Sequence, residues 1–104
     1  MKRLDIIVRD NYIDQVVKAI KKIGVGGLSV SQVKGQGAQE DPLVGNYYTR
    51  GCIMTVVEDQ KVDPILAAVK KIACTNTKGD GKIFISNVEG IMDICTGDSG
   101  HKIL

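Results

Sequence analysis

Apolar residues follow two different periods along this chain, and each period occurs twice. Ile13, Val16, Val17, Ile20 and Ile23 step by three and four, the spacing of one helical face. Val62, Ile65, Leu66, Val69 and Ile72 take the same steps. A short β-branched run precedes each helix. Aligned at a constant offset of 49 residues, RLDIIVRDNYIDQVVKAIKKI (3–23) and CIMTVVEDQKVDPILAAVKKI (52–72) are identical at seven of 21 positions. Asp10 and Asp59 stand where N-caps belong, and Pro64 is tolerated in a first turn. The second strand of each unit is LSVSQVKG (28–35) after the Gly24–Gly27 turn, and KIFISNV (82–88) after the second helix.

The pattern is βαβ twice over, an α+β, ferredoxin-like βαββαβ chain folded as one domain over residues 1–104. Two helices would cover one face of a four-stranded antiparallel sheet. Ile7, Val56 and Ile85 suggest that the other face is apolar as well, and a small monomer seldom exposes such a patch. The sheet is therefore expected to pack against copies of itself.

Composition narrows the function by exclusion. Apolar residues at 43% and charged residues at 25% suit a soluble globular protein. A net charge of +2, carried by dispersed lysines, does not argue for nucleic acid, and no Trp with one Phe gives no stacking platform. No stretch approaches the ~18 apolar residues of a membrane span, nor is there a signal-peptide run, so a cytoplasmic protein without membrane insertion is expected. Cys52, Cys74 and Cys95 are odd in number and lack CxxC spacing, which disfavours a disulfide scaffold or zinc site and leaves small core residues as the expectation. His101 lies in a polar tail and no nucleophile–base pair is evident, so an enzyme is not expected.

Three segments fall outside the repeat. GQGAQEDPLVGNYYTRG (35–51) is longer than a compact domain usually carries between elements, and its Tyr47, Tyr48 and Arg50 suit contact with a partner. The tail after Cys95 is TGDSGHKIL. In CTNTKGDGKIFIS (74–86), Asp80-Gly81 would suit a tight hairpin, yet TNTK is a poor strand. The other use of a Gly-rich loop with a lysine at its exit is to cradle phosphate on backbone N–H groups.

VSQVKGQGAQ (30–39), GDGKIF (79–84) and TGD (96–98), in this order on this repeat, resemble the PII signal-transduction family nearly end to end. The resemblance implies a homotrimer with inward-facing sheets. It makes 36–50 a T-loop-like segment that contacts partners, 75–82 a phosphate-gripping B-loop and 96–104 the C-terminal tail. The implied ligand is an adenine nucleotide (ADP, AMP or ATP), held in clefts between subunits and controlling the long loop. A membrane transporter or metabolic enzyme in nitrogen or carbon metabolism is the implied partner.

Carried over by residue, Gly35, Gly37 and Gln39 match the base of that loop, where Ala38 also falls, with Gln39 helping to hold Mg²⁺ through the nucleotide. Gly79, Asp80, Gly81 and Lys82 match the phosphate loop, and Ser29 stands at an adenine-contacting position. Ala38, Asp93 and Cys95 occupy positions where the family has arginines, and Cys52 falls at or close to its 2-oxoglutarate-pairing lysine. With those cations missing, ADP or AMP is expected to bind at least as tightly as ATP. The alternatives are a module of the same shape without a nucleotide, or a small acyl-phosphate hydrolase, which would want a phosphate loop near Arg9 that VRDNYID lacks.

Overall fold

The computed structural model describes residues 1–38 and 47–104. Six principal elements follow one another: β1 (Lys2–Val8), α1 (Ile13–Ile23), β2 (Ser29–Gly35), β3 (Tyr48–Val57), α2 (Val62–Ala73) and β4 (Gly81–Asn87). They form one sheet in the order β2-β3-β1-β4 with every neighbouring pair antiparallel, which is the expected ferredoxin-like arrangement. The 49-residue repeat survives in three dimensions, since α1 and α2 begin that far apart, at Ile13 and Val62. The offset then widens to 52 residues between the starts of β2 and β4.

Alternation in β1 and β3 sends one set of side chains toward the helices. Leu4, Ile6 and Val8 of β1 meet Ile53 and Val57 of β3, and Val16, Ile20, Ile65, Val69 and Ala73 close over them from the helices. A fully buried Ile or Leu contributes roughly 1.5–3 kcal/mol through removal of its apolar surface from water. This layer is therefore the main source of stability.

Among the described residues one polar side chain enters it. Thr55 is 1% exposed, and its hydroxyl donates to the Gly27 carbonyl at 2.6 Å, tying the turn after α1 to the middle of the sheet. Gly24, at φ 107, closes α1 by donating its N–H to the carbonyls of Ile20 and Lys21, and the Lys61 ammonium donates to the Gly24 carbonyl at 2.7 Å. A cation thus rests where the helix dipole is negative.

Several expectations change here. Asp10 and Asp59 do not cap the helices: each opens a 3₁₀ turn, Asp10–Tyr12 and Asp59–Lys61, and the helices start one turn later. Their carboxylates are engaged elsewhere, Asp10 by the Gln32 amide at 3.3 Å and Asp59 by the α-amino group at 3.1 Å. Ile85 pairs with Leu4 and so lies on the helix side, near the open edge of β4; Phe84, paired with Asp5, takes its place on the bare face. The cysteines are not core residues. Cys74 and Cys95 are exposed, and Cys52 is half-buried on the bare face of β3, where partial burial pushes its thiol pKa up. Tyr48 and Arg50 belong to β3 rather than to the long loop.

Thr55→Val should cost about 1–3 kcal/mol, because the Gly27 carbonyl loses its donor while shape is kept. Thr55→Ser should retain most of the stability. Urea midpoints decide the matter, and a Val variant as stable as the native chain would discount this bond.

Candidate functional site

All four strands contribute to one end of the bare sheet face, where β1 and β2 finish and β3 and β4 begin. A cleft of about 580 Å³ opens there. Ile7, Val33 and Phe84 form an apolar floor, residues 34–38 one wall and residues 77–82 the other. Lys34, Arg50, Lys78 and Lys82 line it, and among the described lining residues Asp80 is the single carboxylate.

The second wall is a loop held in an unusual shape. Asn76, Gly79 and Gly81 have φ values of 60°, 84° and 124°. At Gly81 the close approach is decisive: a Cβ there would sit 1.9 Å from the Ile7 carbonyl oxygen. Only glycine lets the loop pass so near β1 with that backbone conformation.

Asp80 shapes this loop from within. Its carboxylate accepts the Thr75 N–H at 2.8 Å, the Thr75 hydroxyl and the Arg9 guanidinium at 2.7 Å. The Thr75 hydroxyl, followed by the backbone amides of Thr75 and Thr77 and the Arg9 charge, outweighs partial burial and brings the Asp80 pKa from 3.8 to about 2. Arg50 ties the other wall in. Its Nε donates to the Gly79 carbonyl at 3.2 Å, and its guanidinium carbon lies 5.3 Å from the centre of the Tyr48 ring.

The structure thus brings Gly35, Gly37 and Ala38 together with Gly79, Asp80, Gly81 and Lys82, although some forty residues separate them in sequence. Arg50 joins them at the cleft, while Tyr47 is exposed just outside β3. Ser29 is not among the lining residues: it pairs with Met54 at the far end of β2. Cys52 does not line the cleft either, and the cation nearest it in β3 that does is Arg50. Gln39 lies outside the described residues. The tail is more ordered than its polar sequence suggests. Met92 bridges to Ser99, the Asp93 N–H donates to the Asp98 carbonyl at 2.8 Å, and His101–Ile103 form a 3₁₀ turn. Asp93 and Cys95 sit in that hairpin, not in the cleft, and Ile94 at its tip is 96% exposed.

Arg9 is one residue that sequence reasoning did not assign to the site, and Thr75, although inside the 75–82 segment, was given no role of its own. Both act on a loop whose shape is invisible in the one-dimensional pattern, and Arg9 is 71 residues from Asp80. The one available signal was the run of polar residues, TNTK, ahead of the glycines.

Comparison with known proteins agrees with this architecture. The family described as Nitrogen regulatory protein P-II matches residues 1–98. The chain is 31% identical to the nitrogen regulatory protein P-II of Rhizobium meliloti (strain 1021), covering 96% of both chains. It is 36% identical to nitrogen regulatory protein P-II 2 of Methanothermobacter thermautotrophicus, covering 98% of this chain and 96% of that one. The solved structure of B. subtilis GlnK superposes with a TM-score of 0.82 at 31% identity, covering 99% of this chain and 97% of that chain.

Because the Asp80 carboxyl is held low in the fold, its contribution to stability is complete above its ordinary pKa and is lost as pH falls toward about 2. Thermal melts from pH 5 to pH 2 should show a shallower acid loss for Asp80→Asn than for the native chain. Parallel acid losses would mean that the loop network does not report on global stability.

Proposed function

The chain belongs to the nitrogen regulatory protein P-II family, and on that premise we propose that its cleft binds an adenine nucleotide and that the adjoining long loop conveys occupancy to a partner protein. Its curated relatives are named as regulatory proteins, and this chain is a signalling protein of that kind rather than an enzyme.

The observation that carries the nucleotide reading is the meeting of two glycine-bearing segments and a set of lysine and arginine residues around an apolar floor. A nucleotide has matching parts: a flat apolar base and a polyanionic chain. Backbone N–H groups at 79–81 suit phosphate oxygens, as oriented amides form an anion-binding concavity. Lys82 stands at the exit of the loop, opposite Ile7 in β4, and adds a point charge. Gly35, Gly37 and Ala38 let the backbone of the facing wall come close to the same phosphates. Asp80 gives the loop its form rather than touching the ligand. Gln39 would orient Mg²⁺ on the phosphates.

Ser29 fits this reading only in an assembly. Six residues of strand, about 20 Å, separate it from Gly35 at the cleft. A single ligand cannot contact both residues of one subunit, so Ser29 serves the adenine bound to an adjoining copy. Phe84, at 55% exposed, and the half-buried Ile7, Met54 and Val56 make the bare face a suitable surface for such a contact. We accordingly propose a homotrimer, with clefts completed by the neighbour and the tail residues Met92 and Ile94 lying across the boundary. The partner is a membrane transporter or a metabolic enzyme contacted by the segment that ends at Tyr47.

Light scattering at micromolar concentration should give the mass of three subunits, and a monomer mass would sink the shared cleft. Calorimetric titration with AMP, ADP and ATP, with and without Mg²⁺, tests the ligand. ADP or AMP should bind at least as tightly as ATP, because Ala38, Asp93 and Cys95 offer the γ-phosphate no cation. Lys82→Ala should weaken binding at least tenfold, about 1.4 kcal/mol, with the mass unchanged. A more than tenfold preference for ATP with Mg²⁺ would refute the charge ranking. No heat from any nucleotide would leave a module that works through its loop alone.

A further inference from the structure

Arg9 follows β1 and stands outside the cleft, yet its guanidinium reaches four acceptors on the loop that forms one wall. Nη1 donates to Asp80 Oδ1 at 2.7 Å and to Thr75 Oγ1 at 3.1 Å. Nη2 donates to Thr77 Oγ1 at 3.2 Å and to the Lys78 carbonyl at 2.7 Å. An ordinary exposed ion pair contributes little to stability, about 0–1 kcal/mol. This one differs in geometry, because a single planar fork spans residues 75–80 and fixes side chains and backbone together.

The loop needs such a brace. Asn76 and Gly79 within it hold positive φ, as does Gly81 at the start of β4, and Asn76 is not a glycine. That residue adopts the left-handed conformation at a cost that surrounding contacts must offset. On one side the loop is pressed against β1, where Gly81 passes the Ile7 carbonyl. On the other side hydrogen bonds reach it from Arg9 and, at Gly79, from Arg50. Arg9 also matches the charge of Asp80, a carboxylate that would otherwise stand beside a site lined by Lys78 and Lys82 and built for an anion.

We propose that Arg9 is a positioning residue: it holds the 75–80 loop in the shape that presents the amides of residues 79–81, and it keeps the Asp80 charge from opposing a phosphate-bearing ligand. The proposal rests on the nucleotide reading for its purpose, but the brace itself is open to measurement without ligand. A preformed loop spares the ligand the work of ordering it, which appears as affinity.

Arg9→Met keeps much of the aliphatic stem and removes every donor; Arg9→Lys keeps the charge but not the fork. Amide hydrogen exchange without ligand should be at least tenfold faster over residues 77–81 in Arg9→Met, with α1, α2 and the subunit mass unchanged. ADP affinity should fall at least tenfold. Arg9→Lys should recover little of either, since an ammonium cannot span four acceptors, and it serves as the test should the Met variant not fold. Unchanged exchange in both variants would overturn the brace. Faster exchange with unchanged ADP affinity would overturn the positioning role. A native protein that takes up no ADP would defeat the nucleotide reading alone, while the exchange rates would still decide whether Arg9 holds the loop.

Discussion

The double pairing of β1, with β3 on one side and β4 on the other, fixes the geometry of everything else. Its seven residues are in register with both neighbours, so Leu4, Ile6 and Val8 must face the helices and Asp5 and Ile7 must face away. A slip of one residue would exchange those sets and turn the core outward. The same strand places the Ile7 side chain in the cleft floor, its carbonyl under Gly81 and, one step past its end, Arg9 against Asp80. Core, floor and loop brace are therefore consequences of one register.

Electrostatics divides the molecule into two tasks. Lys61 on the Gly24 carbonyl and Asp10 on Gln32 settle local polar groups at element ends. At the cleft, by contrast, Lys34, Lys78 and Lys82 gather with Arg50 against one carboxylate that Arg9 already matches. A concentration of like charge destabilises a fold, and a ligand of opposite sign would relieve it. The contrast between satisfied ends and a cationic cleft is what separates scaffold from site.

Residue patterns went far toward this picture. The three-and-four spacing of Ile13 to Ile23, and its echo 49 residues on, follow from helix geometry acting on solvent-averse side chains, and helices and strands appear where that physics requires. Gly79, Gly81 and Lys82 were legible because glycine at a left-handed position leaves a mark in sequence. Three features were not. Ile85 and Phe84 are both apolar, so alternation did not say which faced the helices until the pairing with β1 fixed it. Tyr48 and Arg50 extend β3 because β2 offers partners as far as Gly35, and a pairing partner has no local signature. Arg9 entered only as an arginine without a phosphate loop around it, since nothing in VRDNYID names the loop it reaches.

The widening of the repeat from 49 to 52 residues has a consequence for how such a protein can change over generations. Five residues return the chain from α1 to its edge strand, whereas seven lie between α2 and β4. The first copy shows the shorter return to be sufficient, so the surplus in the second is free of any duty to the core. It lies outside the buried layer, and Arg9 and Arg50 hydrogen-bond to it. Substitutions between Thr75 and Asp80 would alter the wall of the cleft without touching the residues of the buried layer. The wall of the cleft and the core of the fold are thus open to separate change.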